Sequence, residues 1–353
     1  MLDCGTGARK LGLSLATKGP ITAHLLLSHT HGDHIQGLPF FLPAFTPGSH
    51  LTIYGPAGMD RSLSQTVGGS MDYAYFPVPL SSLPARFDFV QLGETEFTIG
   101  RARVRTQFVN HTSPTIGYRI TAGAATLVYA TDHEAHANPP WRADRPIGLF
   151  DPRYLAHTGD QRHVAFVARA DVLVHDTQYA GRDLPAKAGW GHSTVEYAVD
   201  VALAGRVKTL VLFHHDPDRD DAGIDEMIRM AEARVAAAGL PLRVLAATEG
   251  EELAIDEGAT APVIELEPAA PVLPARARIL VADDDVTLVR ILETVLTGDG
   301  YDVDPAYDGT DAVAKAMARR YDLVLMDIAM PQLDGLSACR QLRAAEGYRS
   351  TPF

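Results

Sequence analysis

The chain has little cysteine, no long apolar run and no excess of positive charge, and each shortage removes a class of function. Cys4 and Cys339 are the two cysteines in 353 residues and stand far apart in sequence. Two distant thiols make no disulfide framework, so a reducing cytoplasm is the expected setting. Apolar runs stay well short of the ~20 residues that a membrane-spanning helix needs. The first residues lack a signal-peptide pattern, so neither a membrane partner nor export is expected. A formal charge of −13 argues against a general electrostatic footprint for nucleic acid. What remains is a globular composition, 46% apolar, with a length that suggests two domains.

A composition change marks the boundary. The stretch "DEGATAPVIELEPAAPVLPARA" is rich in proline and alanine, and proline denies the chain both helix interiors and ladder donors. The expected division is a domain at 1–257, a linker at 258–275 and a second domain at 276–353, without internal repeats. Before the linker, β-like runs dominate: "LTIYG", "RVRTQFV", "TIGYRI", "TLVYA", "DVLVHD" and "TLVLFHH". Helical patterns run from Ser193 to Leu203 and from Asp221 to Ala238, the latter between Asp220 and Gly239 as start and stop signals. After the linker, strand-like and helix-like segments alternate, as in a parallel α/β sheet.

The first domain's chemistry gathers in "LLLSHTHGDHIQG". A strand ending in a polar cluster delivers that cluster to a sheet rim, where ligand sites form. His29, His31, Asp33 and His34 supply imidazole nitrogens and a carboxylate, donors that suit Zn²⁺ and similar ions. Four such groups in so short a stretch fit two neighbouring ions better than one.

This loop resembles the HxHxDH signature of the metallo-β-lactamase fold superfamily, which implies an α/β αββα sandwich. The resemblance implies three more ligands: a histidine, a bridging aspartate and a last histidine. "VNHTSPTIGY" offers His111, "LVYATDHE" offers Asp132, and "TLVLFHHDP" offers His214, with His215 left open as the alternative. His29, His31 and His111 are expected to hold one ion, Asp33, His34 and His214 the other, and Asp132 to bridge them. Zn²⁺ is the expected metal, with Mn²⁺ or Fe as substitutes. His133 and His136 are expected to be solvated loop residues.

"HDTQY" followed by "GHST" looks like the motifs of the ribonuclease Z-like phosphodiesterase branch. Asp176 takes the position where ribonuclease Z commonly has glutamate, and His192 takes that of the family's catalytic histidine. Asp33, Asp176 and His192 are thus the expected catalytic residues, the last two as a carboxylate–imidazole relay that protonates a leaving oxygen. Ser193 is the expected N-cap of the following helix. Ribonuclease Z grips tRNA with a long arm inserted between its third and fourth metal motifs, and the stretch from His111 to Asp132 has room only for a turn and two strands. Residues 1–257 are similar overall to bacterial phosphoribosyl cyclic phosphodiesterases, with Gly32 where those relatives often carry tryptophan. Their opening strands, which precede "MLDCGTGARKLG", are expected to be missing here.

"ILVADDDV" and "MDIAMPQLDG" resemble a response-regulator receiver, a flavodoxin-like fold. The resemblance makes Asp327 the phosphoacceptor, and Asp283, Asp284, Asp327 and the carbonyl of Ala329 the Mg²⁺ site. The family's fourth and fifth strands are expected to be absent, so this is a partial receiver. The expected function is hydrolysis of a small phosphodiester coupled to a phosphorelay. The expected partners are that substrate, a histidine kinase as phosphodonor and a second copy of the chain as a homodimer. Two alternatives stay open: a metal-binding sensor or scaffold with little turnover, and a hydrolase of thioester or lactam substrates.

Overall fold

The structure, a computed structural model, describes residues 1–58, 61–137, 148–150, 157–255, 277–298, 301–327, 330–345, 348 and 351. The expected linker at 258–275 and Ala329 lie outside these residues. The chain divides into two compact units, Met1–Ala261 and Pro262–Phe353. No helix among the described residues is long and apolar enough to cross a membrane.

In the first unit β1 (Thr22–Leu26), β2 (His50–Pro56) and β3 (Arg86–Leu92) form a parallel sheet in that order. A second sheet of seven strands runs, from one edge to the other, through β4 (Glu96–Ile99), β5 (Ala102–Val109), β6 (Thr115–Ala122), β7 (Ala125–Ala130), β8 (Val172–Asp176), β9 (Thr209–Phe213) and β10 (Arg243–Ala246). β4 to β7 pair antiparallel through short turns, whereas β7 to β10 pair parallel. Parallel neighbours need crossovers, and the helices Thr158–Val167, Val195–Ala204 and Asp221–Ala238 lie in those connections.

Three apolar layers hold the unit together. Leu26, Leu92, Val104, Ile116, Tyr118 and Tyr129 pack between the two sheets. Phe166, Leu173, Tyr197, Val201, Leu210 and Met227 pack the second sheet against its crossover helices. Leu27, Ile53, Leu63 and Val67 fill the outer side of the first sheet. The result is helix, sheet, sheet, helix. Helix Asp221–Ala238 starts and stops where its signals stand: the Asp220 side chain accepts from Gly223 N, and Gly239 ends it at φ 63°. Helix Val195–Ala204 differs from expectation. Its N-cap is Thr194, whose hydroxyl accepts from Tyr197 N, because the Ser193 hydroxyl donates instead to the His133 carbonyl. An apolar cavity of about 570 Å³ opens beside β1, among Leu11, Leu15, Leu25, Phe41, Val104 and Ile120.

In the second unit, β11 (Arg278–Ala282) lies between β12 (Asp302–Ala306) and β13 (Leu323–Met326), all parallel. Pro305 sits inside β12, which pairs only with β11 among the described residues. A strand with one unpaired side tolerates the missing N–H of proline. Helices Val286–Gly298, Gly309–Ala318 and Gly335–Ala344 complete the alternation.

Candidate metal centre

Every expected ligand of the first unit follows a strand end. His29 and His31 leave β1, and the short helix Gly32–Ile35 carries Asp33 and His34. His111 follows β5, Asp132 follows β7 and His214 follows β9. Asp132 and His214 take positive φ, 50° and 57°, a conformation that costs a non-glycine residue on the order of 1 kcal/mol or more and collects at functional sites. The neighbouring strands hold these turns in place.

The side chains converge as two donor sets that share one carboxylate. His111 Nε2 lies 3.2 Å from His31 Nδ1, and Asp132 Oδ2 stands 3.6 Å from His29 Nε2 and 3.7 Å from His111 Nε2. The other oxygen, Oδ1, stands 3.3 Å from His34 Nε2 and 3.4 Å from His214 Nε2. Asp33 Oδ2 is 3.1 Å from His34 Nε2 and 3.3 Å from His214 Nε2. Ligand atoms around a tetrahedral ion with bonds of about 2.1 Å sit about 3.4 Å apart. His29 Nε2 and His34 Nε2 are buried without an aligned hydrogen bond, so these nitrogens face the donor sets with nothing else to bind. The residues therefore fit two divalent ions. His214 joins the second set with Asp33, His34 and Asp132, while both ring nitrogens of His215 are buried without a hydrogen-bond partner.

The electrostatics point the same way. Burial, then neighbouring His34, pushes His29 down to about 2, so its imidazole is neutral and its lone pair free. Burial opposes charge on His34 too, yet the surrounding carboxylates of Asp132, Asp3 and Asp33 raise it to about 12. His214, likewise opposed by burial, is raised to about 9 by Asp33. Asp33 is held well below the usual carboxylate range by the neighbouring imidazoles of His214 and His34. Clustered carboxylates here demand positive charge, which protons or divalent cations can supply.

Asp3 supports this arrangement and carries no signal in the sequence. Its buried carboxylate accepts from Ser28 N at 2.6 Å, Ser28 Oγ at 2.8 Å, His34 Nδ1 at 2.8 Å and Tyr129 Oη at 2.7 Å. It thereby aims His34 Nε2 at the donor set, as partners of the second ring nitrogen do in metal sites. The segment carrying Asp3 lies so close to the ligand loop that a Cβ on Gly37 would stand 1.9 Å from Gly5 O.

Asp176, at the end of β8, is fully buried. Its Oδ1 accepts from Gln178 N at 2.9 Å, and its Oδ2 accepts from His133 N at 3.2 Å and from His192 Nδ1 at 2.7 Å. The His192 ring lies 4.9 Å from that of His214 and 5.3 Å from that of His111, so its free Nε2 belongs to the same rim. Glu134, also unmarked in the sequence, accepts from Gly189 N at 2.8 Å and Gly191 N at 2.7 Å. The Gly191 carbonyl in turn accepts from His111 Nδ1 at 2.8 Å. One carboxylate thus braces the loop that orients a metal-side histidine and carries His192.

The expectation of a solvated His133 is wrong. Its ring is fully buried, stacked 4.0 Å from His163, with His175 behind. β7 carries this turn inward rather than to the surface. His136 alone of the pair is exposed. In the second unit, Asp283 and Asp284 follow β11 and Asp327 follows β13. Asp327 N donates to Ala282 O at 2.8 Å, which sets the two strand ends side by side.

Two family models match the chain. A family model described as the beta-lactamase superfamily domain matches residues 1–215, and one described as the response regulator receiver domain matches residues 279–352. Ribonuclease Z of Thermoplasma acidophilum is 25% identical over 252 residues, covering 64% of this chain and 79% of that protein. The response regulator ArlR of Staphylococcus aureus is 41% identical over 76 residues, 22% of this chain and 33% of that protein. Among solved structures, a diphosphatase from the PhnP family aligns with a TM-score of 0.48 and 18% identity, over 72% of this chain and 79% of that one.

Proposed function

Because the chain belongs to the beta-lactamase superfamily and matches a response regulator receiver domain over residues 279–352, we propose that its first unit is a two-metal phosphodiesterase of small phosphodiesters. The single observation that carries this reading is the Asp176–His192 pair, 2.7 Å long and set on the rim of the double donor set. Lactam or thioester hydrolysis has less need of such a relay.

His29, His31 and His111 would hold one ion, Asp33, His34 and His214 the other, and Asp132 both. Ions bound there supply charge neutralisation for the phosphoryl oxygens and activation of a water. The chain's own part is the proton. Asp176 accepts from His192 Nδ1, which fixes the ring and leaves Nε2 on the rim. The Nε2–H is then free to protonate the leaving oxygen as the P–O bond breaks. A small substrate is favoured over a folded RNA by the net charge of −13 and by the connection from His111 to Asp132. That connection is β6 and β7 joined at Gly123 and Ala124, with no inserted arm.

The receiver reading assigns Asp327 as acceptor of a phosphoryl group from a histidine kinase, with Asp283 and Asp284 holding Mg²⁺. Acetyl phosphate labelling of wild type and D327N tests it: label on both would remove Asp327 as the acceptor. The hydrolase reading is tested with the full chain loaded with Zn²⁺ or Mn²⁺. Bis(p-nitrophenyl) phosphate, a lactam and a thioester are assayed in parallel beside His31→Ala. Diester turnover that vanishes in the variant supports it. A folded, two-metal protein inert towards the diester overturns it in favour of a sensor.

A further inference from the structure

The loop Gly189–Trp190–Gly191 displays a large aromatic ring where burial would be the default. Trp190 is 55% exposed, two residues before His192. Its flanking glycines have φ of 84° and 88°, values that only glycine adopts cheaply. At Gly191 a Cβ would also stand 2.2 Å from His111 Nδ1. Glu134 fastens the N–H of both glycines, and Trp190 N donates to Lys187 O at 3.1 Å. The Lys187 ammonium stands 4.0 Å from the indole centroid and 5.6 Å from that of Tyr179, an arrangement in which cation–π attraction fixes the ring plane. The Tyr179 ring meets the His192 ring edge-on at 5.9 Å. Tyr179, Lys187, Trp190 and His192 are therefore one assembly, braced from behind by a carboxylate, with about half of Trp190 left exposed.

We infer that this assembly is the leaving-group subsite of the phosphodiesterase and that it takes a nucleobase. The inference rests on the hydrolase reading and deepens it. His192 delivers its proton to the leaving oxygen, so whatever that oxygen carries must lie on the His192 side of the metals. The surface offered there is a flat, electron-rich ring on a braced loop. A planar base covers it by stacking, with a larger flat contact than a bare ribose can make. Base stacking on an aromatic side chain contributes about 1–3 kcal/mol, which converts to roughly 5- to 150-fold in affinity. Lys187 acts here as a positioning residue, holding the indole rather than reading the base.

The test separates the subsite from the chemistry. The chain has two tryptophans, so a W141F variant makes Trp190 the sole indole reporter. The metal-loaded full chain is titrated with adenosine 5′-monophosphate and with ribose 5-phosphate. The expected result is saturable quenching by the nucleotide only, weakened several-fold by K187A. Kinetics then compare 2′,3′-cyclic adenosine monophosphate with a base-free ribose cyclic phosphate, followed by ³¹P NMR. Wild type should prefer the nucleotide, W190A should lose about ten-fold of that preference, and W190F should keep most of it. Equal quenching by both ligands, or an unchanged preference in W190A, overturns the subsite even if diesters are hydrolysed. Nucleotide-specific quenching without turnover of any diester keeps base stacking on Trp190 but overturns the hydrolase reading, and with it the leaving-group role of the subsite.

Discussion

Two groups of histidines lie a few residues apart in the first unit, and they solve opposite problems. Around Asp132, imidazole nitrogens face one another and shared carboxylates, with His29 Nε2 buried and unpaired. Around Asp160, three fully buried histidines are tied together through five of their six ring nitrogens, His163 Nδ1 being the one left without a partner. His175 Nδ1 donates to Asp176 O at 2.7 Å, which leaves its Nε2 to accept from His163 at 2.9 Å. His133 Nδ1 accepts from Asn110 N at 3.1 Å, and its Nε2 donates to Tyr197 Oη at 3.1 Å, which donates to Asp160 at 2.8 Å. His133 and His175, whose ring nitrogens are all engaged, have no lone pair to give an ion, and the single remaining nitrogen, His163 Nδ1, makes no donor set by itself. Density of histidine is therefore no measure of metal binding; convergence of unengaged nitrogens is.

The sharpest way to break this comparison is to remove the shared carboxylate. Asp132→Asn should drop bound metal below two ions per chain. Turnover should fall by about 10³-fold or more, equivalent to several kcal/mol of charge stabilisation. His163→Phe, from the buried network, should keep the full metal content by mass spectrometry. If His163→Phe lost an ion as well, the distinction between the two groups would fail. His192→Ala should keep both ions yet lose about 10²- to 10⁴-fold in rate on an alkyl leaving group. The loss should be smaller with p-nitrophenolate, which departs without a proton. Equal losses on the two leaving groups would remove His192 as the acid. Asp3→Asn, which weakens the hold on His34 without touching a donor atom, should cost about 10- to 100-fold in metal affinity. A competition titration against a chelator checks it.

How much of this was legible beforehand depends on distance along the chain. His29, His31, Asp33 and His34 are adjacent in sequence, so their chemistry shows in one loop. His111, Asp132 and His214 emerge only through resemblance to a family, because strand ends far apart in sequence meet at one sheet edge. Asp3 and Glu134 escaped because nothing local distinguishes them. Their roles are to accept N–H groups from Ser28, Gly189 and Gly191, contacts that exist only after the sheets close. His133 was misread because "TDHEAHANPP" has a loop's composition, while β7 drives its first residues into the interior. β3, with "RFDFVQL", and helix Thr158–Val167 also lack clear periodicity and take their form from packing.

The smallest expected effect concerns stability and uses the buried network alone. Burial holds His163 well below its ordinary value of 6.5 and lowers His175 as well. Above pH 6.5 both are neutral in the folded and unfolded chain, and nothing is lost. Below it the unfolded chain takes up protons that the folded chain refuses, so stability falls with pH. The slope is about 1.4 kcal/mol per pH unit for each such group. Urea denaturation of the metal-free chain at pH 7.5, 6.0 and 5.0 should show this decline. His163→Phe should be less stable at pH 7.5, because His175 Nε2 loses its donor, yet its decline should be shallower by about one group's share. Parallel declines in the two proteins would mean that His163 accepts a proton in the folded state. The network would then be able to open, and the contrast with the metal-side histidines would be one of degree.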